Sequence, residues 1–290
     1  MSKKVESPDR SKLTAFDIAN AKGSRSLSML ALYDAQMARL AEESGIDLLL
    51  VGDSMGMVVL GLESTAQVTI DEILHHTQAV RRGAPHTHIV ADLPFMTYQV
   101  SDEQAVASAG RLVKEGRADS VKLEGGEAMA SRIAAIARIG IPVIAHIGLL
   151  PQTAAGQSGF KVQGREIAAA KQLLRDAKAV AEAGAIAIVV ELVPSELAER
   201  ITKLVSIPTI GIGAGVHCDG QVLVANDMLG ADDRFKPRFL KTYADLAGTI
   251  RGAFSAYAED VRTRAYPTPK HSFGLPEETA AALDAGDDAE

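Results

Sequence analysis

Five apolar runs in this 290-residue chain end on a carboxylate or an imidazole. Leu48-Leu49-Leu50-Val51-Gly52 leads into Asp53, His88-Ile89-Val90-Ala91 into Asp92, and Ser120-Val121-Lys122-Leu123 into Glu124. Pro142-Val143-Ile144-Ala145 leads into His146, and Ile186-Ala187-Ile188-Val189-Val190 into Glu191. Carboxylates in such surroundings cost solvation free energy unless a cation or a hydrogen-bond network offsets it. Two aspartates and a glutamate with no thiolate among them make an oxygen-rich set. Hard oxygen ligands of this kind select Mg²⁺, which keeps several waters and takes one or two carboxylates plus substrate oxygens. A 2-oxo acid, chelating through its keto and carboxylate oxygens, would complete such a site. The metal would then polarise the carbonyl and lower the cost of forming an enolate.

Each residue also has a plainer reading. Asp53 lies in Val51-Gly52-Asp53-Ser54-Met55-Gly56, where the glycines permit close backbone approach and Ser54 offers a hydroxyl. An aspartate or serine after a strand also commonly caps the next helix. Asp92 precedes Leu93-Pro94-Phe95, so a turn or cap role is open to it. Lys122 and Glu124, two apart on one strand, point to the same side. They are ligand groups inside a barrel or a structural ion pair, and Gly125-Gly126 beside them suits close approach by a small ligand. Glu191 follows a wholly apolar run, which would raise its pKa towards that of a general acid or base; a core Arg or Lys partner is the alternative. His146 donates to a substrate oxygen or bonds a backbone carbonyl. Of His75-His76, one reads as exposed and one as packing. No HExxH spacing occurs, and Gly211-Ile212-Gly213-Ala214-Gly215 lacks the context of a dinucleotide fingerprint, reading better as a seventh-strand anion loop. Ser54 has no GxSxG context for a hydrolase triad.

These residues need a scaffold that delivers strand ends to one place. Continuous Val/Ile/Leu runs bounded by Gly or Pro predict strands buried on both faces, the habit of parallel sheets. Three times an amphipathic helix end and a glycine (Gly45, Gly116, Gly184) precede such a run, predicting stacked βα units with left-handed glycine caps. Leu27–Tyr33 ending at Asp34, Ile207–Ile212 and Gln221–Val224 bring the strands to about eight, the number of a (β/α)₈ barrel. A doubly wound sheet is the alternative. Residues 1–26 read as an N-terminal capping segment with a short helix around Thr14–Lys22, 27–264 as the barrel, and 265–290 as a partly disordered tail.

The composition, 47% hydrophobic and 23% charged, suits one large α/β domain. A formal charge of −7 argues against nucleic acid or an anionic membrane as the main partner. Cys218 is the only cysteine, so an intrachain disulfide is excluded and a reducing compartment fits. No apolar stretch is long enough to span a bilayer, and no apolar signal region follows Met1-Ser2-Lys3-Lys4, which reads as cytoplasmic.

Several stretches in combination closely resemble the ketopantoate hydroxymethyltransferase family. They are Val51–Gly61, Thr69-Ile70-Asp71-Glu72 with His75-His76-Thr77, Ala91-Asp92-Leu93-Pro94-Phe95 and Val121–Gly126. The match continues through His146-Ile147-Gly148-Leu149 with Pro151-Gln152, Gly159–Gly164, Cys218–Val224 and His271-Ser272-Phe273. The resemblance implies a (β/α)₈ barrel of the phosphoenolpyruvate-binding superfamily type, assembled into a cytoplasmic homo-oligomer, often a decamer. It implies transfer of a hydroxymethyl group from 5,10-methylenetetrahydrofolate to 3-methyl-2-oxobutanoate, with one Mg²⁺ per subunit. Carried over residue by residue, it makes Asp53 and Asp92 direct Mg²⁺ ligands and sets Glu124 near the metal, through water. Asp53, Ser54, Asp92 and Lys122 would hold the oxo acid, Glu191 would be the proton acceptor, and His146 falls on a site position without an assigned role. The chain departs from the family's usual residues at Ala31-Leu32, Leu150 and Leu192, none of them an implied ligand or base. A Mg²⁺-dependent C–C lyase or aldolase acting on a 2-oxo acid without folate is the alternative enzyme. A non-catalytic binding barrel is the alternative class.

Overall fold

Strands buried on both faces leave a sheet with two edges to protect, and this chain removes the edges by closing the sheet. Eight parallel strands pair in chain order: β1 (Leu27–Ala31), β2 (Leu48–Val51), β3 (His88–Asp92), β4 (Ser120–Glu124), β5 (Val143–Gly148), β6 (Ala187–Glu191), β7 (Thr209–Ile212) and β8 (Gly220–Val224), with β8 returning to β1. The computed structural model describes residues 11–157, 160–234 and 237–286. The closed barrel excludes the doubly wound sheet. Among the described residues no helix is long and apolar enough to cross a membrane.

Alternation along each strand sorts its side chains into two shells. Met29, Leu48, Leu50, Val90, Ile144, Val189, Ile210 and Val222 fill the barrel, joined from below by Ile18 and Ala21. Leu49, Val51, Ile89, Val121, Leu123, Ala145, Ile188 and Val190 face outward under the helices. The same period of two that puts Val90, Ile144 and Val189 inside puts Asp92, His146 and Glu191 inside one layer higher. The barrel core and these three polar groups at its mouth therefore belong to the same rows.

Helices Ala35–Glu43, Ile70–Gly83, Asp102–Lys114, Ala130–Arg138, Ile167–Glu182 and Ser195–Leu204 follow β1 to β6. Their starts are written in side chains: Asp34 accepts from the amides of Gln36 and Met37, Thr69 and Glu72 form a reciprocal capping box, and Ser101 accepts from Gln104. Asp34 is thus a cap, two residues clear of a strand that stops at Ala31. Gly45 and Gly184 take the positive φ anticipated for them, whereas at the third site Arg117 takes it. Gly116 is needed for room instead, because a β-carbon there would lie 2.5 Å from the Leu112 carbonyl oxygen. The βα repeat breaks once, since residues 213–219 return from β7 to β8 with no intervening helix.

The N-terminal segment carries helix Ala15–Ala19, capped by Thr14 and Asp17, and seals the barrel floor. Lys12 pairs with Asp119, Lys22 with Asp219 (2.9 Å), and Arg25 with Asp47. These aspartates immediately precede β4, β8 and β2. Met1–Arg10 lie outside the described residues. Beyond the barrel, helix Leu246–Thr263 shows Ile250, Phe254, Tyr257 and Val261 to solvent, and the segment anticipated as a tail carries a further helix, Glu277–Gly286. Asp287–Glu290 lie outside the described residues, as does Gly159 of the resembling stretches.

Asp119 also accepts from Arg81, which is buried, and from the Ile89 amide. Burial works against its charge, but Lys12, the Ile89 N–H and Arg81 outweigh it and hold its pKa below the ordinary value. Asp119→Ala should cost about 3 kcal/mol at pH 7 by stranding Arg81. A carboxylate depressed in the folded state stabilises above its unfolded pKa, and the difference between wild type and variant should fade as pH falls through about 4 and below. Urea unfolding at both pH values checks this; equal stabilities at pH 7 would refute it.

Candidate active site

Register brings the polar strand ends together. Asp92 lies beside Lys122 across β3 and β4, Glu124 beside His146 across β4 and β5, and Gly148 beside Glu191 across β5 and β6. Gly148 has φ +98°, and a β-carbon there would stand 2.2 Å from the Glu191 carbonyl oxygen, so only glycine lets these two mouths meet. Leu192, immediately after Glu191, holds φ +46°, a conformation few non-glycine residues adopt.

Asp53 and Asp92 stand at the same end of the barrel. The Asp53 amide donates to Asp92 Oδ2 at 3.0 Å. Lys122 Nζ lies 2.9 Å from Asp92 Oδ1 as an ion pair without hydrogen-bond alignment, so this buried oxygen has no hydrogen-bond donor among the described residues. Lys122 Nζ also lies 3.3 Å from His146 Nδ1. His146 Nε2 in turn faces Glu191 Oε2 at 3.2 Å. Ser54 bonds the Tyr33 hydroxyl at 2.9 Å and makes no capping bond to the short helix Met55–Val58 that follows. The capping alternative for Asp53 and Ser54 therefore does not hold, because both side chains are engaged elsewhere.

The electrostatics follow from three buried carboxyl groups around one ammonium. Burial, then Asp92, pushes Asp53 up to about 7. Burial, then Asp53, raises Glu124 well above the ordinary range. Burial opposes the Lys122 charge, but Asp92, Glu124 and Asp53 outweigh it and lift its pKa, keeping it an ammonium. Burial, then Lys122, lowers His146. With the ammonium donating to Nδ1, the neutral imidazole carries its proton on Nε2, towards Glu191.

All of the sequence-derived site residues thus meet at the C-terminal mouth of the barrel, with two refinements. Glu191 is less enclosed than its apolar run suggested: its side chain is 16% exposed against 2% for Glu124, leaving an edge for a substrate. No core Arg or Lys is its partner among the described contacts; His146 is. Glu124 is engaged on both oxygens, with Oε2 accepting from the Gln152 amide (3.0 Å) and Oε1 3.6 Å from His146 Nδ1. Accordingly, no three His, Cys, Asp or Glu side chains among the described residues form a ready metal-holding group. The Asp53–Asp92 pair still fits a divalent cation. Asp92 Oδ1 is balanced by the Lys122 ion pair, the buried carboxyl groups outnumber that ammonium, and Mg²⁺ accepts a small protein-ligand count.

Sequence reasoning gave no role to Gln152, Tyr98 or Tyr33. Gln152 Nε2 bonds Asp53 Oδ2 (2.8 Å), and the Tyr98 hydroxyl contacts Gln152 Oε1 (2.7 Å). The one signal available was Gln152's place directly after Pro151, at a helix start above β5. His76 turns inward to donate from Nδ1 to the Tyr33 carbonyl (2.7 Å), while His75 is exposed.

A family model described as ketopantoate hydroxymethyltransferase matches residues 12–269. The 3-methyl-2-oxobutanoate hydroxymethyltransferase of Oleidesulfovibrio alaskensis is 52% identical over 266 residues, 92% of each chain. Among solved structures, a 2,3-dimethylmalate lyase of the PEP mutase/isocitrate lyase superfamily is similar at TM-score 0.57 and 18% identity, covering 94% of this chain and 100% of its own. A phosphonopyruvate hydrolase in complex with oxalate and Mg²⁺ is similar at TM-score 0.55 and 15% identity, covering 96% and 98%. At such identities the two structures speak for the fold alone.

The crowding of Asp53 has a measurable sign. A carboxyl raised in the folded state favours folding most below its unfolded pKa and loses that contribution as pH climbs to about 7. In chelator-treated protein, Asp53→Asn should be more stable than wild type at pH 8, by an amount on the order of 2 kcal/mol, with the gap closing towards pH 4. Denaturant melts across that range test it, and a variant less stable than wild type at pH 8 would contradict the crowding.

Proposed function

The chain belongs to the ketopantoate hydroxymethyltransferase family, and from that premise we infer that it transfers a hydroxymethyl group from 5,10-methylenetetrahydrofolate to 3-methyl-2-oxobutanoate, giving 2-dehydropantoate for pantothenate and coenzyme A. The observation that carries the site assignment is the Asp53–Asp92 pair facing Lys122 at one strand mouth. The folate-free lyase reading has no comparable support, because the close relatives carry the transferase name.

In this reading Asp53 and Asp92 would hold one Mg²⁺, with Glu124 near it. When bound, the cation polarises the 2-oxo carbonyl and acidifies the hydrogen on C3. Oxalate, seen with Mg²⁺ in the phosphonopyruvate hydrolase, has the adjacent oxygens that a 2-oxo acid also presents. Lys122 supplies fixed positive charge to the oxo acid's oxygens, and Ser54, oriented by Tyr33, offers them a hydroxyl. Glu191, with one open edge and His146 Nε2 3.2 Å from its carboxylate, takes the proton from C3. Water takes the one-carbon unit from the folate's two nitrogens, breaking both C–N bonds and releasing tetrahydrofolate with the carbon at the oxidation level of formaldehyde; the electron pair left at C3 then bonds to that carbon, and its oxygen takes up the proton held by Glu191 to become the hydroxyl of the product. We take residues 27–264 as the catalytic barrel, 1–26 as its capping segment and 265–290 as an appendage. We place the reaction in the cytoplasm, as the single cysteine suits.

Homo-oligomeric assembly, as a decamer, belongs to the same reading. Its support is the row Ile250, Phe254, Tyr257 and Val261, which recurs at helical spacing and faces solvent in the single chain. Phe254→Asp should shift the sedimentation coefficient towards smaller species at micromolar concentration, and an unchanged assembly would argue against that surface.

Glu191→Gln should slow exchange of the C3 hydrogen into heavy water by about 10²-fold or more. Binding of 3-methyl-2-oxobutanoate with Mg²⁺, followed by calorimetry, should stay within about threefold of wild type. Exchange at the wild-type rate would remove Glu191 from the role of base.

A further inference from the structure

Each of the two aspartates has one oxygen fixed by a hydrogen bond, Asp92 Oδ2 by the Asp53 amide and Asp53 Oδ2 by Gln152, while Asp92 Oδ1 faces the Lys122 ammonium. Gln152 Nε2 has two acceptors, Asp53 Oδ2 at 2.8 Å and the Leu93 carbonyl at 2.9 Å. The Leu93 carbonyl cannot donate, and neither can Asp53 once ionised as a cation ligand, so the amide presents its NH₂ to them, one hydrogen to each. Oε1 then faces the Tyr98 hydroxyl at 2.7 Å and the Gln99 Nε2 at 3.4 Å. Tyr98 is fixed in turn by the Glu124 main chain, whose amide donates to its oxygen at 3.1 Å and whose carbonyl lies 3.0 Å from it. The Gln152 backbone N–H, free because it belongs to the first turn of helix Pro151–Gln157, donates to Glu124 Oε2 at 3.0 Å.

One residue therefore ties an oxygen of Asp53 and an oxygen of Glu124, and is itself anchored to the segments that follow β3 and β4. It is buried and every polar atom of its amide is engaged. Such a linkage cannot swing without leaving several buried groups unsatisfied.

We infer that Gln152 is a positioning residue for the divalent cation: by holding Asp53 Oδ2 it turns Oδ1 towards the ligand and makes Asp53 a one-oxygen donor beside Asp92 Oδ1. This rests on the reading of Asp53 and Asp92 as cation ligands. The main-chain bond to Glu124 survives side-chain substitution, so variants at position 152 isolate the amide's effect on Asp53. Gln152→Met keeps the length and flexibility of the side chain and removes its hydrogen bonds. Gln152→Asn keeps an amide that is one carbon too short to span from Tyr98 to Asp53.

The test is calorimetric titration of Mg²⁺ alone into full-length wild type and both variants, paired with turnover as a function of Mg²⁺. Both variants should bind Mg²⁺ about 10- to 100-fold more weakly than wild type. Binding stoichiometry should stay unchanged, and turnover should return to within about threefold at saturating Mg²⁺. A role confined to stability would lower the competent fraction and leave the affinity of that fraction alone. Wild-type affinity in a folded variant overturns the proposal, with the Asn variant deciding if the Met variant does not fold. Absence of Mg²⁺ binding by wild type overturns the proposal together with the cation reading, and is told apart from the first failure by the wild-type titration itself.

Discussion

Three buried carboxyl groups share one buried ammonium, and most of what is specific about this barrel follows from that imbalance. In water the arrangement would relax by side-chain movement. Here it is held by register, which seats Asp92 next to Lys122 and Glu124 next to His146 on neighbouring strands. Asp92, His146 and Glu191 each stand above an apolar residue of the same inward column, Val90, Ile144 and Val189, while Glu124 stands above Lys122. Desolvation and mutual repulsion raise Asp53 and Glu124, the same crowding raises Lys122, and His146 is driven neutral beside them. A site in this state gains from any ligand that brings positive charge between the aspartates and negative charge near the lysine. A divalent ion carrying an oxo acid does both.

Much of this was legible before any coordinates. Runs such as Leu48–Val51 and Ala187–Val190 announce buried parallel strands because they are short, rich in Val, Ile and Leu, and preceded by glycine-capped helix ends. A charged residue at the end of such a run is conspicuous. What could not be read was which charged ends are chemical and which are local. Asp34 and Asp53 look alike in sequence, yet Asp34 caps a helix through its own neighbours, while Asp53 is claimed by Gln152, 99 positions away. Long-range partners leave no periodic trace, which is also why Tyr98 and the floor clamps of Lys12, Lys22 and Arg25 were invisible. The return from β7 to β8 without a helix escaped for a different reason: a glycine-rich stretch signals a turn and says nothing of how far the chain travels after it.

Fold and chemistry are separable in this molecule. Lyases and hydrolases with fewer than one residue in five in common with this chain share its barrel. The barrel supplies a ring of strand ends and a direction; the residues at those ends decide what is done there. The family match over residues 12–269 speaks to those residues as well as to the scaffold.

The state of Lys122 carries a consequence for reactivity. Many proteins that make or break carbon–carbon bonds next to a carbonyl use a lysine with a lowered pKa, whose neutral amine condenses with the substrate to an imine. At Lys122 the acidic groups around it outweigh burial and push its pKa up, which favours the ammonium over the neutral amine. The same amino acid that serves as a nucleophile in an apolar pocket is here held as a counter-ion by the carboxylates it faces.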